Sequence, residues 1–154
     1  MKKDFFVLIV LIGLLGCIGG GTHGYIKRYR YNVSKYVLEK GVHQIISKSA
    51  TVHQDSIKDY YNDDTNYIRI NIIENGSPYA YTFHFYGGKE YWDSSKTSAI
   101  SIAYAYDKNR KGGSAGNGGV KPNDFMLKKE LAEPFEREFI NKIDSVLGIK
   151  HREE

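Results

Sequence analysis

The chain has 154 residues, 22 Lys and Arg against 18 Asp and Glu, and a formal charge of +4. The cations are scattered rather than banked on one face, which excludes a nucleic-acid footprint, and the length past the N-terminal segment suits one core rather than two. One cysteine excludes an internal disulfide, while thirteen Tyr, seven Phe and one Trp make the chain unusually aromatic.

Lys2 and Lys3 precede an uncharged, mostly large apolar run from Phe5 to Gly16, the pattern of a basic n-region and the h-region of a signal peptide. The run closes on Leu14-Leu15-Gly16-Cys17, which resembles the lipobox of bacterial lipoproteins. That resemblance covers residues 1–17 only. It implies that Cys17 is the lipidation site, that the peptide before it is removed, and that acyl chains hold the protein at the cell envelope, on the periplasmic or extracytoplasmic face. The alternative is a single-pass membrane anchor, since no charge falls between Phe5 and Ile26. Residues 18–31 read as a flexible basic tether: Gly19, Gly20, Gly21 and Gly24 loosen its start, and "KRYRY" alternates cations with aromatics suited to a lipid headgroup layer.

A single domain is expected over 32–148. Asn32 to Ser47 sets Val33, Val37, Leu38, Val42, Ile45 and Ile46 at helical spacing, with Asn32 or Ser34 as N-cap and Gly41 as a weakness. Residues 48–66 give no clear signal. "NYIRINII" and "PYAYTFHFY" each alternate with period two around Glu74-Asn75-Gly76-Ser77, and Asn-Gly in a two-residue loop marks a hairpin. Pairing Glu74 with Ser77 sets Ile72, Ile70 and Ile68 opposite Tyr79, Tyr81 and Phe83 on one face. On the other, Asn71, Arg69 and Tyr67 meet Ala80, Thr82 and His84.

Ser98 to Tyr106 reads as a third strand whose large residues, Ile100, Ile102, Tyr104 and Tyr106, join the apolar face while Ala99, Ser101, Ala103 and Ala105 join the polar one. Asp107 to Asp124, with Gly112, Gly113, Gly116, Gly118 and Gly119, reads as a mobile loop. Phe125, Leu127, Lys129 and Leu131 alternate as a fourth strand would. Pro134 then suits the first turn of a closing helix carrying Phe135, Phe139, Ile140, Ile143, Val146 and Leu147 and stopped by Gly148. A charged tail, 149–154, follows. The expected fold is a two-layer α+β domain, with an antiparallel sheet of three to four strands and the N-terminal and C-terminal helices packed on one face.

No motif nominates catalysis. The loop "KGGSAGNGGVK" lacks the Gly-Lys-Ser/Thr of a phosphate-binding loop, and no Gly-x-Ser-x-Gly elbow occurs. The five histidines show no ligand spacing, and Asp55, Asp59, Asp63 and Asp64 match no calcium loop and read as a solvated loop. The expectation is therefore a binding or interaction protein working by protein–protein contact rather than an enzyme, with no cofactor, no metal and no catalytic residue. A receptor for a glycan or small ligand is the alternative. Two surfaces are candidates for that contact. The second face of the sheet gathers Tyr67, Arg69, Asn71, Thr82, His84 and Ser101 over small alanines, a polar floor that otherwise is simply a solvent face. In "FYGGKEYWD", Tyr86, Tyr91 and Trp92 could form an aromatic platform or merely cover the end of the sheet.

Overall fold

The computed structural model describes residues 24–55, 67–116 and 119–154. Cys17, the apolar run before it and Asp59, Asp63 and Asp64 lie outside them. The protein is an α+β chain built on one antiparallel sheet. In chain order the elements are β1 (Arg28–Tyr31), α1 (Lys35–Lys48), β2 (Val52–Gln54), β3 (Tyr67–Glu74), β4 (Ser77–Phe85), α2 (Lys89–Ser94), β5 (Ser98–Tyr106), β6 (Gly112–Ser114), α3 (Phe125–Phe135), α4 (Asn141–Leu147) and β7 (Arg152–Glu153). Among the described residues the sheet has seven strands rather than three or four, in the order β2-β3-β4-β5-β1-β7, with β6 also paired to β5.

The additional strands come from segments whose sequence reads as connection. "KRYRY", expected in the tether, is β1, antiparallel to both β5 and β7, with Tyr29 and Tyr31 fully buried. Residues 149–154, expected as a tail, supply β7, and His151 bonds Asp144 at 2.9 Å. Part of the glycine loop is β6, which pairs Gly112 with Tyr106 and Ser114 with Tyr104.

The β3–β4 hairpin has the register its turn chemistry dictates, from Glu74 opposite Ser77 to Tyr67 opposite His84. Asn75 and Gly76 take positive φ, 49° and 74°, as a type I′ turn requires. Ile68, Ile70, Ile72, Tyr81 and Phe83 are accordingly buried on one face. Against it lie Phe135 and Phe139, with ring centroids 4.9 Å from Tyr81 and 5.3 Å from Phe83 respectively.

Those two phenylalanines lie on one helical run, and here the structure departs from the expected fourth strand. Phe125–Leu131 is helical, because the Asp124 carboxylate caps the Leu127 amide at 3.1 Å and Leu127 and Leu131 share a face at i, i+4. Pro134 therefore sits near the end of α3 and not in a first turn. A single π turn, Glu136–Ile140, carries the chain on into α4, and Gly148 at φ 65° ends it. Gly41 of α1 is a close approach: a Cβ there would lie 3.2 Å from Leu147 Cδ2, so the glycine lets α1 sit down on α4.

Candidate functional site

β5 contains the event that shapes the polar face of the sheet. Phe83 pairs with Ile102 and Thr82 with Tyr104, so Ala103 is an extra residue, a β-bulge. Past it the facing of β5 reverses relative to simple alternation. Ile100 and Ile102 are in the core as expected, but Tyr104 and Tyr106 turn to the polar face beside Thr82 and Ala80, while Ala105 goes inward and is fully buried.

The two tyrosines make one wall of an open cleft of about 870 Å³. Its floor and opposite wall are Tyr67, Arg69, Asn71, Ala80 and Thr82, with Asp55 abreast of Arg69, whose carbonyl accepts the Asp55 amide at 3.0 Å. The turn after β5, which carries Lys108 and Arg110, also borders it. That turn is firmly built: Asp107 Oδ1 accepts from the amides of Asn109 at 2.8 Å and Lys111 at 2.7 Å, and Arg110 is held in the left-handed region at φ 60°. The Asp107 carboxylate is thus engaged by backbone, and the side chains that line the cleft are aromatic, amide, hydroxyl, guanidinium, the Lys108 ammonium and the Asp55 carboxylate.

Four of the residues named from sequence, Tyr67, Arg69, Asn71 and Thr82, line this cleft together. His84 lies beside it, its ring 5.1 Å from that of Tyr67, with Nδ1 3.1 Å from the Phe85 carbonyl oxygen. Ser101 is elsewhere and fully buried, accepting a 2.9 Å bond from Arg28 Nε. The Arg28 guanidinium is in turn held between the rings of Tyr25 and Tyr86, at 3.9 and 4.0 Å from their centroids.

Tyr86, Tyr91 and Trp92 do not make one exposed platform. Trp92 is only 8% exposed and belongs to the core. Its indole N–H donates to the Tyr86 carbonyl at 2.9 Å, and the buried ammonium of Lys35 lies 4.8 Å from its ring. Tyr91 is half-buried, and hydrogen bonds from Ser95 and Thr97 draw its hydroxyl pKa below the usual value. Tyr86 is more exposed but covers Arg28.

The residues missed from sequence are Tyr104, Tyr106, Lys108 and Arg110. "AYAY" fits either facing equally well, and only the ladder to β4 reveals the bulge. Among the described residues no group of three or more His, Cys, Asp or Glu side chains could hold a metal ion, and no helix is long and apolar enough to cross a membrane. Compared with protein-family models, curated proteins and solved structures, the chain matches none.

Proposed function

We propose that the chain is a membrane-held binding module whose cleft on the polar sheet face receives a segment of a protein partner at the cell envelope. One observation carries the reading: the bulge at Ala103 sets Tyr104 and Tyr106 over a polar floor, opposite Tyr67 and Arg69, in a cleft of about 870 Å³. Tyr and Arg supply most contact energy at protein interfaces, and a cleft between fixed strands is ready before its partner arrives. The lipobox-like Leu14 to Cys17 supports acylation at Cys17 and an extracytoplasmic address, with a single-pass anchor as the other form of attachment. Both long helices are read as one layer over the opposite face of the sheet.

A photo-crosslinking residue in place of Asn71 or Tyr106, in cells producing the full chain, tests the reading. It predicts a discrete product from both positions, none from Val146 on α4, and loss of the product when Thr82→Arg fills the floor while Trp92 emission stays native. Equal products from all three positions, or a product indifferent to Thr82→Arg, would refute the cleft as the site. A second reading, a glycan or small ligand, is favoured by the three tyrosine rings bordering a volume in the range of ligand sites. Saturable perturbation of tyrosine ring signals by an oligosaccharide would select it.

A further inference from the structure

Phe125 and Met126 open α3 with 74% and 79% of their surface exposed, more than any other large hydrophobic side chain among the described residues. Leu127, the next residue, turns inward to the core. Around the exposed pair stand Lys121, Lys128 and Lys129, the last one helical turn beyond Phe125. Two residues do not approach the roughly 800 Å² per partner of a specific protein interface, and a second copy would bring its own lysines against these.

The apolar N-terminal segment joins the domain on the same side. Ile26 and Lys27 line a depression together with Lys128, Lys129, Ala132, Glu133 and Glu136, where Glu136 engages Lys27 and Glu133 lies 3.8 Å from the largely exposed Lys129. Gly24 bridges to Ala115, and Ala115 to Val120, next to Lys121. An apolar tip flanked by three lysines, with the one adjoining carboxylate, Asp124, turned to the helix cap, lies beside the point where a membrane-directed segment enters and matches an anionic bilayer surface in chemistry and position.

We infer that Phe125 and Met126 insert into the headgroup layer of an anionic membrane while Lys121, Lys128 and Lys129 meet its phosphates, so that the domain docks on the bilayer in a fixed orientation. The inference rests on the reading that residues 1–17 direct the chain to a membrane. Each lysine near such a surface strengthens partition about fivefold.

The experiment uses the full chain carrying Phe125→Trp, its emission read as the difference from the unsubstituted chain with its core Trp92, mixed with vesicles of phosphatidylcholine and phosphatidylglycerol whose acyl chains are brominated near the headgroup. Flotation in high salt, which screens the lysines, reads the N-terminal attachment separately. The expected result is flotation in high salt together with quenching of the introduced indole at low salt, about twofold or more beyond that of a Val146→Trp control, and loss of the excess when all three lysines become Glu. Flotation with an unquenched indole overturns the docking and leaves the attachment standing. Quenching at low salt without flotation in high salt upholds the docking and overturns the attachment. A difference spectrum already blue-shifted without vesicles means that the introduced indole is covered by the chain itself or by a second copy, and overturns the inference.

Discussion

Tyr81 carries more of the fold than its place in an alternating strand implies. Its ring packs on Phe135, burial raises its hydroxyl pKa well above the ordinary value, and the hydroxyl donates to the Leu131 carbonyl at 2.9 Å. Tyr81→Phe keeps the ring and removes this buried bond, so we expect a loss of about 1 kcal/mol in urea unfolding, with native Trp92 emission retained. A second group sets the response to acid. Glu138 accepts from Lys142 Nζ at 2.8 Å and Thr51 Oγ1 at 2.7 Å, and these bonds hold its carboxyl pKa below the ordinary value. A carboxylate with a lowered native pKa stabilises the fold at neutral pH, and that contribution disappears as pH falls through the ordinary carboxylate range and then the lowered native value. Glu138→Gln is therefore expected to flatten the acid limb of a stability-against-pH curve, whereas an unchanged limb would assign it to other carboxylates. At this scale the hairpin was legible to the residue, because turn chemistry and hydrophobic alternation specify the same register. Tyr104 and Tyr106 were not, since their facing depends on a bulge opposite Thr82 and Phe83 rather than on their own order.

Among the elements, β6 shows how composition misleads. Five glycines between Asp107 and Asp124 read as freedom, yet Gly112 at φ 136° is pressed against β5, where a Cβ would lie 2.0 Å from the Ala105 carbonyl oxygen. Gly119 is as tight, at 2.3 Å from the Ser114 carbonyl oxygen. The glycines are what allow backbone to meet backbone at this edge. Gly112→Ala is thus expected to detach β6 and raise amide exchange across Tyr104 to Tyr106 by tenfold or more, about 1.4 kcal/mol in local opening. Gly76→Ala, where nothing lies within 4 Å of the added carbon, is expected to act only through its positive φ. α3 was misread for a related reason: Phe125, Leu127, Lys129 and Leu131 satisfy period two, while Leu127 and Leu131 satisfy the helical period as well. The Asp124 cap was the available signal, and the preference for Pro in a first turn placed the helix start at Pro134 rather than Phe125.

Across the whole molecule, the α+β class and the alternation of core strands were readable, but the extent of the sheet was not. β1 and β7 are short, and Arg28, Arg30, Arg152 and Glu153 look like solvated charge until Tyr29 and Tyr31 are seen beneath helix and sheet. The charges then pair across the edge: Lys27 lies 3.0 Å from Glu153, and Arg30 binds Glu154. Removing residues 149–154 would uncover Tyr29 and Tyr31 and leave Asp144 without His151. We expect the shortened chain to unfold at least 3 kcal/mol more easily, by about the cost of emptying one core aromatic, and a retained melting temperature would count against a structural role for β7.

The position of β1 also governs when the sheet can close. Its neighbours are β5, from Ser98, and β7, at Arg152–Glu153, so a chain emerging N-terminus first from a ribosome or a translocation channel presents Tyr29 and Tyr31 long before either partner exists. Closure of so distant a ladder is slow, because the entropy of joining the ends must be overcome before the contacts form. β1 therefore waits for β5 before it can pair at all and for Glu153 before its second edge is covered, so the strand that joins the N-terminal segment to the domain is among the last parts of the sheet to be fixed.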